Sequence, residues 1–133
     1  MDSQEKFEYW LNTAKYDLKT ADAMLEAGRW FYVIFMCQQA IEKLVKGLYL
    51  LYIDDNVPRL HDINAIFDHY KSKLPCKQTD DQAKLFDTLS KFYLRSRYPD
   101  YTPVSASLAT GEFAHSILEK SKEAFQWLLT TKP

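Results

Sequence analysis

Gln39, Glu42, Lys43 and Lys46 set two ammonium groups, a carboxylate and an amide inside the most apolar stretch of the chain. At helical spacing Gln39, Lys43 and Lys46 share a face, and Glu42 stands one turn before Lys46 in the orientation that favours an ion pair. Such groups can hold an anionic ligand or meet a partner subunit. The plainer reading is a solvated stripe with one ion pair worth roughly a few tenths of a kcal/mol. The apolar surroundings favour the sharper reading, because surface stripes do not usually interrupt a core helix.

A second group lies in Lys91-Phe-Tyr-Leu-Arg95-Ser-Arg97-Tyr98-Pro99-Asp100-Tyr101. Lys91 and Arg95 are one turn apart near a helix end, where cations complement the helix dipole. Arg97 precedes a Tyr-Pro step, and proline stiffens the local backbone. A guanidinium flanked by Tyr98 suits a phosphate or a stacked base. It suits equally a salt bridge to Asp100 that ties the segment down. His61 precedes Asp62, a residue type that starts helices, so it either hydrogen-bonds the helix entrance or faces a ligand.

Other chemistries lack their parts. No two histidines stand three or four residues apart, and Cys37 and Cys76 have no finger-like spacing, so no metal site and no cofactor are expected. Three dispersed glycines cannot build a phosphate-cradling loop. Cys37 sits on a crowded helix and reads as a small core hydrophobe.

The elements that must position these groups are helical throughout. Apolar residues recur at helical spacing, and no Asn-Gly or Asp-Gly hairpin signal appears. The first helix is predicted over 3–27, with Phe7, Trp10, Leu11, Ala14, Leu18, Ala21 and Leu25 inward, Asp2 as its cap and Gly28 as its stop. A second runs over 30–53 and is covered on several sides; Gly47 inside it implies close approach by another helix. A short third spans 62–72, with Ile63, Ile66, Phe67 and Tyr70 inward. Thr79 and Gln82 form a capping box that opens a fourth helix ending near Arg95. After an irregular stretch with two prolines, a fifth runs over 110–130. These segments describe an all-α, five-helix antiparallel up-and-down bundle, one domain over 1–133.

With 17 basic and 18 acidic residues, the chain lacks the excess charge of a non-specific nucleic-acid binder. Charges within the apolar second helix argue against a membrane span. Two cysteines without a disulfide framework, and no apolar leader, point to a reducing cytoplasm. Aromatic richness suggests that some of Tyr9, Trp30, Tyr49 and Trp127 are covered by another subunit.

Three fragments together resemble one family. The run Gln39-Ala40-Ile41-Glu42-Lys43-Leu44-Val45-Lys46 resembles the second-helix signature of HEPN-domain proteins. Their His-Asp-Leu element has its counterpart in His61-Asp62-Ile63, and Arg97-Tyr98-Pro99-Asp100 resembles their Arg-Tyr-Pro-Asp element, in the same order and over the whole chain. The resemblance implies a small helical bundle, commonly a homodimer, often encoded beside a minimal nucleotidyltransferase. Some relatives are toxins that cut RNA without a metal, using an arginine followed after four to six residues by a histidine. Here no histidine follows Arg95 or Arg97 until His115, and Arg59 is separated from His61 by one residue.

The expectation is therefore a nucleotide- or anion-binding and protein-interaction module in a toxin–antitoxin-like system. Its expected ligand-binding residues are Gln39, Lys43, Lys46, His61, Arg95, Arg97, Tyr98 and Asp100, with a homodimer and a minimal nucleotidyltransferase as partners. RNA is a less favoured ligand. The alternatives are a metal-independent RNA endonuclease, its histidine (His61 or His115) supplied by folding, and a purely structural dimeric adaptor.

Overall fold

A computed structural model describes the backbone of residues 1–97 and 110–133, with side chains for all of these except 93–97. Among the described residues there are five α-helices, one short 3₁₀ turn and no strand. Helix α1 spans Ser3–Glu26 and α2 spans Trp30–Tyr52. Helix α3 is Ile63–Asp68, followed by a 3₁₀ turn at Lys71–Lys73. Helices α4 (Asp80–Arg97) and α5 (Gly111–Leu129) complete the bundle.

Side-chain caps set the helix starts by satisfying amides that have no partner within the helix. The Asp2 carboxylate accepts from Glu5 N at 2.8 Å, and Asp62 accepts from Ala65 N at 3.1 Å. At α4 the box is reciprocal: Gln82 N donates to Thr79 Oγ1 at 3.1 Å and Thr79 N donates to Gln82 Oε1 at 2.9 Å. Thr110 caps α5 through Phe113 N. Gly28, at φ +72°, takes the left-handed conformation that ends α1. The third helix is shorter than its apolar pattern implies, because the backbone tightens to 3₁₀ geometry after Tyr70.

Helix α2 is the hub and packs against α1, α3, α4 and α5. Its Val33, Ile34, Ile41, Leu44, Val45 and Leu48 are fully buried, as are Phe7 of α1, Phe67 of α3, Phe86 of α4 and Leu118 of α5. Burying each such side chain is worth about 1.5–3 kcal/mol. Helices α1 and α2 approach closely at Gly47, where an added Cβ would lie 2.9 Å from Trp10 Cβ and 3.1 Å from Phe7 Cδ2. Helix α4 runs back along α2, since Phe86 meets Phe67 at one end and Phe92 meets Phe31 at the other. Tyr70 anchors the lower end: its hydroxyl donates to the Val45 carbonyl at 2.7 Å and its ring stacks on Tyr52 at 5.4 Å. Tyr52 in turn donates to the Thr131 carbonyl, fastening the segment after α5.

Aromatic richness is largely explained within the chain. Tyr49 is buried in this protein's own core, between His69 and Tyr70, which removes it from the residues expected under another subunit. Trp30 and Trp127 are half-buried, while Tyr9, Tyr16 and Tyr32 are exposed. Among the described residues no helix is long and apolar enough to cross a membrane.

Candidate functional site

The polar residues of α2 do not form the solvated stripe that spacing alone allows. Glu42 and Lys46 are both buried, and so is Gln38. The Glu42 carboxylate receives three donors. Gln38 Nε2 donates at 2.8 Å, Lys46 Nζ lies at 3.2 Å, and His61 Nδ1 lies 3.1 Å from Oε1 and 3.3 Å from Oε2. Gln39 Nε2 donates to Gln38 Oε1 at 2.7 Å, which orients the amide that serves Glu42. Gln39, Gln38, Glu42, Lys46 and His61 thus make one connected network, and a buried carboxylate needs such partners to remain ionised.

His61 is where this network meets solvent, its side chain 40% exposed against 7% for Glu42. A carboxylate on Nδ1 requires a hydrogen there, so the neutral ring carries its basic lone pair on Nε2. Glu42 therefore fixes both the tautomer and the orientation of the imidazole. At the entrance of α3, Asp62 supplies the cap.

Helix α4 lies beside the same segment. Ser90 Oγ accepts from Ile63 N at 3.0 Å and itself donates to the Phe86 carbonyl at 2.8 Å. The helical backbone then carries Arg95 and Arg97 about 7.5 and 10.5 Å along the axis beyond Ser90. Ser90 thus sets α4 against the Ile63 end of the His61-Asp62-Ile63 segment, and Arg95 and Arg97 follow further along the same helix. Tyr98 and Asp100 lie outside the described residues.

Lys43 belongs elsewhere. Its Nζ is 2.5 Å from Asp17 Oδ2 of α1, with Asp17 buried. Lys43 and Lys46 therefore answer to different carboxylates on different sides of α2, and the single cationic face expected for them is divided. Sequence reasoning misses Asp17, although Ala14, Asp17 and Ala21 fall on one helical stripe. It misses Gln38 too, for which the i, i+4 relation to Glu42 is the available signal. His115 is exposed on α5 and has no acidic partner within reach among the described residues. No group of three or more metal-ligating side chains occurs among the described residues.

The HEPN-domain family model matches residues 7–131, nearly the entire chain. The chain belongs to the HEPN-domain family. Two solved structures resemble this HEPN chain along nearly their full lengths. The crystal structure of TT1696 from Thermus thermophilus superimposes with a TM-score of 0.82 at 25% identity, covering 95% of this chain and 98% of that one. The archaeal HEPN homologue ST0689 gives 0.70 at 26% identity, covering 93% and 95%. No curated protein matches the chain. Within this HEPN bundle, α2 supplies the buried carboxylate, the segment before α3 supplies the histidine, and the last turns of α4 carry two arginines.

Proposed function

We propose that this HEPN protein is a phosphate-recognising module that binds a nucleotide at the His61 cluster and acts through protein partners. The observation that carries the reading is the Glu42–His61 contact, a buried carboxylate spent on orienting a surface imidazole. Holding a carboxylate in a core is costly unless it is well paired, and His61 is one of the three partners that pair this one. Lys46 balances the charge of Glu42 within the network. Arg95 and Arg97 on α4 bring the residue type suited to phosphate oxygens. Tyr98 and Asp100 follow in sequence as further ligand contacts.

The partners in this reading are a second copy of the chain and a minimal nucleotidyltransferase, in a toxin–antitoxin-like pairing. The exposed tyrosines Tyr9, Tyr16 and Tyr32 support an interaction surface, since tyrosine is enriched where proteins meet. Light scattering at micromolar concentration is expected to return twice the mass of one chain.

A second reading draws on the same contact. A carboxylate-oriented imidazole is the arrangement of a general base, and an arginine beside it could stabilise an anionic phosphorane during attack of a ribose 2′-hydroxyl. In this reading His61 takes the place of the histidine that the linear spacing lacks.

Titration calorimetry with nucleoside phosphates and a short RNA, on wild type, His61→Ala and Arg97→Ala, tests both. Saturable nucleotide binding weakened about tenfold by either substitution supports the module. RNA cleavage abolished by both substitutions supports the enzyme. Absence of binding and cleavage in folded wild type contradicts the site altogether.

A further inference from the structure

A groove lies apart from the His61 cluster. It has a volume of about 650 Å³ and runs between α1, the second half of α2 and the segment that follows α2. We propose that this groove is a separate binding site for an anionic aromatic ligand of nucleoside-monophosphate size. It does not rest on the His61 reading, because it uses none of that cluster's side chains.

Its charge argues for an anion. Lys6, Lys43 and Arg59 line it with Asp55, and once Asp55 and Asp17 are set against the two lysines they pair, a surplus of one positive charge remains, on Arg59. Lys43 spends one of its three donors on Asp17 beneath the groove, and its side chain stays 26% exposed. Lys6 is paired with Asp55 at 2.5 Å, but Asp55 is 61% exposed and can yield its place to a ligand oxygen. Arg59 is exposed and has no ion-pair partner among the described residues. Its guanidinium is thus available for bidentate contact with a phosphate.

Its walls argue for an aromatic body. Tyr9 stands 70% exposed on the rim, and Trp10 forms the adjoining wall. Trp10 is held there by the close approach of α1 to Gly47, so one face of the groove is rigid. Leu50 and Val57 complete the apolar floor. A groove of this size falls within the roughly 300–1,000 Å³ usual for small-molecule sites, which combine apolar walls with a few placed polar groups. Tyrosine and tryptophan faces stack with bases irrespective of sequence, at about 1–3 kcal/mol per base.

The test is an amide NMR titration with adenosine 5′-monophosphate, with adenosine and inorganic phosphate as separate arms. Saturable shifts are expected, centred on Tyr9, Trp10, Thr13 and Arg59, with each fragment binding at least about tenfold more weakly than the nucleotide. Arg59→Ala and Tyr9→Ala, both surface substitutions that should leave the fold intact by circular dichroism, are expected to weaken binding at least about tenfold and severalfold. His61→Ala is expected to leave the affinity read from the Tyr9, Trp10, Thr13 and Arg59 shifts within about twofold, whatever it does to binding at its own cluster. No saturable shifts, shifts confined elsewhere, or phosphate binding as tightly as the nucleotide would overturn the proposal. Loss of binding in His61→Ala with retention in Arg59→Ala would also overturn it, and would assign the nucleotide to the His61 cluster instead.

Discussion

Glu42 Oε1 lies 3.1 Å from His61 Nδ1, joining the middle of the central helix to the segment that opens α3. The contact spans 19 positions in sequence and ties a core carboxylate to a surface imidazole. It also explains why Lys46 is buried, since an ammonium beside Glu42 keeps the local charge balanced.

Glu42→Gln keeps the shape of the side chain and removes its charge, leaving Lys46 buried without its counter-ion. Removing one partner of a buried pair costs about 3–5 kcal/mol. Lys46 keeps some access to water at 8% exposure, so the expected loss is at the low end. Urea unfolding should show a lower midpoint at an unchanged slope. A midpoint equal to wild type would mean the pair adds nothing to the fold.

Gly47→Ala pits two effects against each other. Alanine improves helix propensity by about 1 kcal/mol, whereas its methyl group would meet Trp10 Cβ at 2.9 Å. Overpacking of this kind costs roughly 1–3 kcal/mol, and a Cβ fixed to the backbone cannot swing aside. The net expectation is a destabilised protein in thermal unfolding, and a stabilised one would show that α1 can shift away.

The two thiols should react very differently. Burial pushes the Cys37 thiol up to about 12, while Cys76 is exposed. A thiol-specific chromogenic reagent at neutral pH is expected to titrate one cysteine quickly in the native protein and the second only in denaturant. The folded-state pKa of Cys37 lies above its unfolded value, so its contribution favours folding below the unfolded value and is lost as pH rises through the folded one. Rapid reaction of both thiols in native buffer would contradict the burial.

Asp55 carries a pH signature of the groove. The hydrogen bond and charge of Lys6 hold its carboxyl below the ordinary aspartate range. The pair therefore favours folding above the unfolded pKa, and that contribution fades as pH falls through the lowered folded value. Both groups are well exposed, so salt should weaken the effect. Carbon-detected NMR titration of Asp55 should show its midpoint moving up in Lys6→Met, and an unmoved midpoint would deny the pairing.

Much of this architecture can be read from the residues alone, because it depends on local chemistry. Caps at Asp2, Asp62, Thr79 and Thr110, the left-handed Gly28 and the apolar stripes each act within a few positions. The close approach at Gly47 is legible for the same reason, since glycine in a helix interior needs a cause. Long-range pairing is not legible. Nothing in the spacing of α2 says that Lys43 turns to Asp17, 26 residues earlier, or that Glu42 reaches His61. Spacing within α2 suggests a common face for Lys43 and Lys46, and tertiary neighbours divide it. The groove escapes a linear reading because Lys6, Lys43 and Arg59 belong to three separate segments.

The decisive measurement is a nitrogen-resolved NMR titration of the His61 ring with a nucleoside phosphate, in wild type and in Arg97→Ala. The expected result is a saturable shift at Nε2 in wild type, with Nδ1 still carrying its hydrogen toward Glu42, and a clearly weaker response in the variant. A ring whose signals stay fixed while the protein is folded, or an identical response without Arg97, would contradict phosphate recognition at this cluster.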